Sequence, residues 1–305
     1  LCPEGGDFRL VLAAAYLYTS STSLKAADQA MIAAANPHAA RAGSDILKAG
    51  GSAIDAAIAA QMVLGLVEPQ SSGIGGGGFL LHYNVTSGAI ESFDGRETAP
   101  ASASGDLFRK ADGSLMSWPE AASGGLSVGV PGLLRMLELA HRKHGRLPWA
   151  RLFEPAIQLA EEGFIVSPRM AESIAGNADL ADFPAARDYF FADGAPLKAG
   201  VRRDNAAYAA TLRTIAAGGA DAFYYGEIAD DIAAAVQAAT RNPGALTAAD
   251  MEMYEAHQRP PVCAPYRVYM VCGMGPPSSG GLTTLQILGL IERFDIAGLG
   301  ANSLG

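Results

Sequence analysis

The stretch ILKAGGSAIDAAIAAQMVLGLVEPQSSGIGGGGFLL, from Ile46 to Leu81, contains a dense run of glycines. Within it, Gly73, Gly75 and Gly78 have the GxGxxG spacing of a dinucleotide-binding loop. Such a loop binds a pyrophosphate only when a strand precedes it and a helix follows it, because the helix N-terminus directs backbone N–H groups at the phosphates. The flanking segments therefore decide between a nucleotide site and a structural loop.

The segments on the two sides of the glycines have the opposite order. Ser52 is a predicted N-cap, and Asp55 follows three residues later in an alanine-rich helix that ends near Pro69. After the glycines, FLLHYNVTSGAIESFD predicts two strands that Thr86-Ser87-Gly88 joins in a hairpin. We interpret the glycines as a structural loop, in which φ is positive or backbone segments approach closely.

The composition is that of a globular protein and gives no sign of a nucleic-acid partner. Of the 305 residues 50% are hydrophobic, and the mean hydropathy is +0.16, so the chain can bury a large core. The 22 Lys and Arg residues and 31 Asp and Glu residues give a formal charge of −9. No basic cluster is present, which excludes binding to a phosphate backbone as a main function.

The three cysteines, Cys2, Cys263 and Cys272, have no CxxC spacing and no neighbouring histidine pair. This pattern indicates neither a zinc site nor a disulfide framework. We expect these cysteines to be packing residues or free thiols.

Among the five histidines, only His141 and His144 in HRKH have the spacing that places two side chains on one helix face. No third metal ligand lies near them in the sequence, and a basic helix end explains the pair equally well. We therefore predict no metal site.

The N-terminal residues have the order of a secretory signal. Arg9 precedes the apolar run LVLAAAYLY and the small polar segment TSSTSLKA. We interpret residues 1–27 as a signal-peptide remnant or an N-terminal extension and expect a periplasmic or secreted protein; the alternative is an ordinary terminal element. No apolar run reaches the roughly 18 residues of a membrane span.

The order of predicted elements favours an α+β fold. A helix pair that starts at Asn36-Pro37 leads into the hairpin, a mostly helical middle follows, and YRVYMVCGM from Tyr266 to Met274 predicts one strand before the helical LTTLQILGLIERF. Regular βαβ alternation is absent, which argues against a doubly wound parallel sheet. Without repeats or linkers, residues 28–305 are predicted to form one domain.

Six ordered blocks, in a region from about Met31 onward, resemble the gamma-glutamyl transpeptidases of the N-terminal-nucleophile hydrolase superfamily. The blocks are the opening stretch (Ile46–Leu81), DGRETAP (Asp94–Pro100), GVPG (Gly129–Gly132), GFIVSP (Gly163–Pro168), LTAADMEMYEA (Leu246–Ala256) and GPPSSGG (Gly275–Gly281). Gly275 is a departure, because the family usually has a third proline there.

The resemblance implies a four-layer αββα sandwich, completed by a small subunit that this chain does not contain. The family makes one precursor that cuts itself before a threonine. The new N-terminal Thr attacks a γ-glutamyl amide such as glutathione, with its own α-amino group as base. Water, an amino acid or a peptide then accepts the acyl group, and no metal or organic cofactor is required. Residues 28–305 correspond to most of a large subunit.

The nucleophile motif of the family, Thr-Thr-His followed closely by Ser, does not occur in these 305 residues. Thr283-Thr284 is followed by Leu-Gln at the start of an apolar segment, so we predict ordinary first-turn helix residues there. The resemblance therefore implies that the catalytic residues lie on the small subunit.

Substrate recognition is the role that the resemblance leaves to this chain. In the family, the arginine of the motif matched by DGRETAP binds the α-carboxylate of the γ-glutamyl group, and that position is Arg96. A guanidinium can meet a carboxylate with two parallel charge-assisted hydrogen bonds. The alternative is a structural Arg96 paired with Asp94 or Glu97.

Two other functions stay open at this point. One is an acylase of the same superfamily branch that removes a glutaryl side chain from a β-lactam nucleus. The other is a non-catalytic remnant or interaction module.

Overall fold

A computed structural model of the chain describes residues 30–300. The predicted signal segment, residues 1–27, lies outside the described residues. None of the helices in the described part of the chain is both long and apolar enough to cross a membrane.

Helices are the main regular secondary structure of the described residues, as the periodicity of the middle segment predicts. The α-helices are α1 Pro37–Lys48, α2 Ala53–Val67, α3 Trp118–Ala122, α4 Leu133–His144, α5 Glu154–Glu162, α6 Pro168–Ala175, α7 Pro184–Phe190, α8 Ala206–Gly218, α9 Asp221–Tyr224, α10 Glu227–Gln237, α11 Ala248–Glu252 and α12 Gly280–Ile291. Short 3₁₀ turns lie at Gly125–Ser127, Trp149–Leu152, Ala178–Asp182 and Ile296–Gly298.

The strands form small antiparallel sheets. They are β1 Gly78–Asn84, β2 Ala89–Gly95, β3 Phe164–Ile165, β4 Phe191–Ala192, β5 Ala195–Pro196, β6 Arg202–Arg203, β7 His257–Arg259, β8 Val262–Tyr266 and β9 Tyr269–Gly273. β1, β2 and β7 form one sheet in that order, and β3–β6, β4–β5 and β8–β9 form two-stranded pairs. No parallel pair occurs among the described strands, so the predicted α+β class is confirmed.

The predicted helix pair is confirmed, and side-chain caps define the residue at which each helix starts. The Asn36 side chain accepts a hydrogen bond from the backbone N–H of His38 at the start of α1. Ser52 and Asp55 form a capping box at the start of α2, which satisfies two N–H groups that the helix itself leaves unpaired. α2 is apolar on nearly all sides and buries ten of its fifteen residues, because it packs against α1, α4 and α5.

The predicted hairpin is also confirmed and forms one wall of the core. β1 pairs with β2 from Gly78 opposite Gly95 to Asn84 opposite Ala89, and Gly88 in the turn has a φ of 69°. On β2, Phe93 is fully buried, and the strand packs on α4. β7 then adds to the other edge of β2, with His257 opposite Asp94.

The segment predicted as one strand from Tyr266 to Met274 is instead part of a hairpin. β8 ends at Tyr266 and β9 begins at Tyr269. Arg267 between them has a φ of 53°, a left-handed conformation that reverses the chain although no glycine is present to signal it. The strand is confirmed at Tyr269–Gly273, but the turn before it was missed because its residues have no turn-forming character.

This hairpin also corrects the prediction for two cysteines. Cys263 and Cys272 lie directly opposite each other on β8 and β9 and form a disulfide. Cross-strand neighbours have Cβ atoms close enough for such a bond. They are therefore neither free thiols nor core packing residues, while Cys2 lies outside the described residues.

Candidate functional site

The backbone of Arg96 is fixed on both sides at the end of β2. Its N–H donates to Oδ1 of Asp94 at 2.9 Å, and its carbonyl accepts from the Tyr254 hydroxyl at 2.8 Å. Two residues later, Thr98 and Val130 exchange backbone hydrogen bonds of 3.3 and 2.8 Å. The main chain at Arg96 is therefore held by contacts that do not involve its guanidinium.

The Asp94 carboxylate is engaged by a different arginine. Nε of Arg259 donates to Oδ2 of Asp94 at 2.6 Å, and Asp94 is only 5% exposed. With its other oxygen on the Arg96 N–H, this carboxylate is satisfied without the Arg96 side chain. Of the two structural partners considered for Arg96, Asp94 is therefore not bound to the guanidinium.

The Arg96 side chain is 63% exposed, and its charged contact is with Glu97, whose Oε2 lies 3.3 Å from Nε. It lines a cavity of about 520 Å³ at the surface. The other lining residues are Gly75, Glu97, Thr98, Ala99, Pro100, Leu107, Phe108, Leu126, Ser127, Val128 and Gly129. An exposed guanidinium on a fixed backbone can accept a small carboxylate from solution with little reorganisation.

The glycine-rich segment is a structural loop, as predicted from its flanks. α2 precedes it and β1 follows it, which is the reverse of a dinucleotide-binding loop. The carbonyl of Gly76 accepts from the N–H groups of Gly132 and Leu133 at 3.0 and 3.1 Å. This contact attaches the loop to the start of α4.

The reason for glycine differs among these positions. None of the glycines from Gly73 to Gly78 has a positive φ, so of the two expected reasons for glycine only close backbone approach remains. At Gly77, however, a Cβ would lie 2.5 Å from the carbonyl oxygen of Gly95, whereas at Gly76 the nearest atom would be 3.6 Å away. Close backbone approach therefore explains Gly77 and leaves room at Gly76.

Thr283 and Thr284 lie in the first turns of α12, as predicted. The N–H of Thr283 donates to the Ser279 carbonyl at 2.9 Å. Their position is that of ordinary helical threonines.

His141 and His144 of HRKH have different neighbours in the structure. Nε2 of His141 lies 2.9 Å from the Leu147 carbonyl oxygen, and its ring meets Trp149 edge-on. His144 instead joins His82 and Glu91 in a cluster whose ligand atoms lie within 4.8 Å of one another. The described residues thus do contain three groups that could hold a metal ion.

This cluster has perturbed protonation equilibria. A hydrogen bond from Lys143 is the main reason that the pKa of Glu91 falls to about 2, with Gln258 and His144 acting in the same direction against burial. Burial and the neighbouring His144 lower the pKa of His82 below its ordinary value. Near neutral pH the cluster therefore combines a carboxylate with a neutral His82.

Two residues near Arg96 were not predicted from the sequence, namely Tyr254, which binds its carbonyl, and Arg259, which pairs with Asp94. Tyr254 and Arg259 lie more than 150 residues further along the chain. Burial raises the pKa of Tyr254 to about 12, and the nearby Asp94 and Glu97 contribute, so its hydroxyl remains a hydrogen-bond donor. Tyr254 lies within the block LTAADMEMYEA, and this was the available signal.

Comparison with known proteins gives consistent matches in sequence and structure. The chain is 39% identical over 267 residues to a glutathione hydrolase proenzyme of Bacillus subtilis (strain 168), covering 88% of this chain and 45% of that protein. It is 35% identical to the acylase ACY 1 proenzyme of Pseudomonas sp. (strain SE83), covering 94% and 52%. The crystal structure of Helicobacter pylori gamma-glutamyltranspeptidase superposes with a TM-score of 0.86 at 33% identity, covering 90% of this chain and 78% of that one.

The chain has the α+β fold of the N-terminal-nucleophile hydrolases, as the resemblance implies. The gamma-glutamyltranspeptidase family model matches residues 39–304. The chain therefore belongs to the gamma-glutamyltranspeptidase family, and it spans about half the length of the curated relatives it matches.

Proposed function

We propose that this chain is the large-subunit part of a γ-glutamyl transpeptidase or glutathione hydrolase. In this function a γ-glutamyl amide such as glutathione is cleaved through a γ-glutamyl-enzyme, and the acyl group passes to water or to an amine of an amino acid or peptide. The exposed guanidinium of Arg96 on its fixed backbone is the observation that carries the proposal. The names of the proenzyme relatives support the reaction class.

Arg96 would bind the α-carboxylate of the γ-glutamyl group. Asp94 is paired with Arg259 and not with the Arg96 guanidinium, and the contact of Arg96 with Glu97 uses Nε in a partly exposed position. An incoming carboxylate can therefore occupy the free edge of the guanidinium in a bidentate arrangement. The adjacent cavity of about 520 Å³ is within the size range of small-molecule sites.

A small subunit from the same precursor is the proposed partner. Large apolar side chains are exposed on α12 and on the β8–β9 hairpin. They are Leu282, Ile287 and Leu290 on the helix and Val268, Tyr269 and Met270 on the hairpin. Apolar patches of this kind mark interaction surfaces, and a second chain would cover them and supply the nucleophilic Thr.

We also propose that the protein is exported to the periplasm or secreted. The support is the order of residues 9–26, in which a basic residue, a short apolar run and small polar residues follow one another. Cell fractionation with an antibody against this chain tests the idea, and a protein found wholly in the cytoplasm contradicts it.

The experiment that tests the proposed reaction compares two substrates on the full-length protein that contains this chain. We expect turnover of γ-glutamyl-p-nitroanilide to exceed turnover of glutaryl-p-nitroanilide, which lacks the α-amino group. The opposite preference would favour the acylase alternative, which one relative's name also suggests. A full-length protein without turnover of either anilide would favour a non-catalytic remnant.

A further inference from the structure

Three side chains with metal-binding atoms converge between the β1–β2 hairpin and the end of α4. His82 on β1 lies directly opposite Glu91 on β2, and His144 is the last residue of α4. Oε2 of Glu91 lies 2.5 Å from Nε2 of His144 and 3.8 Å from Nδ1 of His82. The three side chains are only 15 to 18% exposed, so this is a sheltered site at the edge of the core.

The Nδ1 atom of His82 is the feature that the fold does not explain. It is buried and has no hydrogen-bond partner among the described residues, a state that is unfavourable unless a water or an ion completes it. The two imidazole rings stack with their centroids 3.9 Å apart. Both rings therefore present a nitrogen toward the same carboxylate oxygen.

The two oxygens of Glu91 are divided between different partners. Oε1 accepts from the Lys143 ammonium and from Nε2 of Gln258 at 2.9 Å, which leaves Oε2 to the histidines. A neutral outer partner such as Gln258 is a regular feature of metal sites, because it orients the ligand before the metal binds.

We propose that His82, Glu91 and His144 bind one Zn²⁺ ion through two imidazole nitrogens and one carboxylate oxygen, with a water molecule as the fourth ligand. The ligand atoms of a tetrahedral zinc site are about 3.3 Å apart when the bonds are about 2.0 to 2.1 Å long. From the stacked arrangement, the two rings must rotate about their Cβ–Cγ bonds so that both nitrogens point at one ion, and Zn²⁺ would take the place of the proton between His144 and Glu91. Two imidazole ligands select Zn²⁺ over Mg²⁺ and Ca²⁺, which prefer oxygen.

The bound ion would fasten the hairpin to α4. Neither histidine, nor Glu91, lines the cavity beside Arg96, so this site goes beyond the proposed γ-glutamyl chemistry. The Lys143 ammonium lies beside Glu91 and opposes a second positive charge there. We therefore expect removal of Lys143 to strengthen Zn²⁺ binding.

The test is a calorimetric titration of the full-length protein with ZnCl₂ after treatment with EDTA. We expect one saturable site in the wild type. The variants His82→Ala and His144→Ala should bind Zn²⁺ more weakly than the wild type by at least about 10- to 100-fold, which is the loss of affinity typical when an outer partner of a metal ligand is removed. Lys143→Gln should bind more tightly, and His38→Gln, which changes an exposed histidine on α1, should match the wild type.

Unfolding is followed by circular dichroism without metal, so that a variant that fails to fold is recognised. If an alanine variant does not fold, the wild type is titrated with Co²⁺, whose visible absorption bands report four-coordinate nitrogen and oxygen ligands. No saturable Zn²⁺ binding by the wild type, or binding by folded His82→Ala and His144→Ala proteins equal to that of His38→Gln, would overturn the proposal. Absence of four-coordinate Co²⁺ bands would overturn it in the same way.

Discussion

Arg96 and Arg259 are two arginines beside one aspartate, and the structure gives them different surroundings. Arg259 pairs with the buried Asp94, whereas Arg96 directs an exposed guanidinium toward a cavity. Because the Arg96 backbone is held by Asp94 and Tyr254, its side chain can change without loss of those contacts. This difference makes the proposed recognition role separable from a structural one.

We expect Arg96→Ala in the full-length protein to lower kcat/KM for γ-glutamyl-p-nitroanilide by roughly 10- to 150-fold. A hydrogen bond to a charged group is worth about 1.5 to 3 kcal/mol, and the loss should be mostly in KM if ground and transition states are bound alike. Arg96→Lys keeps the charge without the bidentate geometry and should be intermediate. Steady-state kinetics, with a gel to follow self-processing, provides the measurement.

Arg259→Ala is the matched control for this series. It leaves the Asp94 carboxylate buried without its cation, so we expect a loss of about 1 to 3 kcal/mol in the free energy of unfolding. KM of the molecules that fold should change little. A stable, processed Arg96→Ala protein with the wild-type KM would remove Arg96 from the substrate site.

The loop between α2 and β1 gives a second matched pair of variants. A Cβ at Gly77 would meet the Gly95 carbonyl at 2.5 Å, but a Cβ at Gly76 would meet nothing closer than 3.6 Å. We expect Gly77→Ala to cost about 1 to 3 kcal/mol of stability, as overpacked positions do, and Gly76→Ala to cost clearly less. Chemical denaturation of both variants measures the difference, and equal losses would refute the close-approach explanation.

Asp250 connects α11 to the segment that follows Arg96. It caps the helix in a box with Thr247, and its Oδ1 accepts from the N–H of Ala101 at 2.8 Å. Burial alone raises the pKa of Asp250, but the hydrogen bonds from Ala101 and Thr247 outweigh burial and bring the pKa below its ordinary value.

This depressed pKa has a definite consequence for stability. In the folded protein Asp250 stays ionised at pH values below its pKa in the unfolded chain. It therefore stabilises the folded state fully above about pH 4, and this stabilisation is lost as the pH falls further. We expect Asp250→Asn to lower the free energy of unfolding by about 1 to 2 kcal/mol near pH 7. The difference in this free energy between the variant and the wild type should be smaller at pH 3. Urea unfolding at both pH values provides the measurement, and a gap that widens at pH 3 would contradict this account.

Local elements were predictable from the sequence where short-range chemistry determines them. The caps at Asn36 and Ser52 and the β1–β2 hairpin follow from side chains within a few residues of one another. The β8–β9 hairpin was missed because its turn at Arg267 has no glycine, asparagine or proline. The Cys263–Cys272 disulfide was missed with it, since only the hairpin register brings the two cysteines together.

The candidate site was predictable only in part, for a similar reason. Arg96 was found through its motif, but Tyr254, which binds its carbonyl, and Arg259, which pairs with Asp94, come from distant segments that fold against β2. Likewise His144 was paired in the sequence with His141, whereas its neighbours in space are His82 and Glu91. Contacts between distant segments are set by tertiary packing, which spacing within one helix cannot reveal.

We propose that two chains form the complete protein, one that recognises the substrate and one that carries the nucleophile. This chain offers Arg96 and the cavity beside it, while the family's nucleophile motif does not occur in its 305 residues. Exposed apolar residues on α12 and on the β8–β9 hairpin fit a surface that a second chain covers. Isolated, the chain should therefore bind hydrophobic dyes and be poorly soluble.

The most direct test measures turnover of γ-glutamyl-p-nitroanilide by two preparations at equal molar concentration. One is residues 28–305 alone, and the other is the processed full-length protein that contains them. We expect turnover by the processed protein and none by residues 28–305, because the nucleophilic Thr is proposed to lie on the second chain. Turnover by residues 28–305 alone would contradict the assignment of this chain as a large subunit that recognises the substrate without carrying out the chemistry.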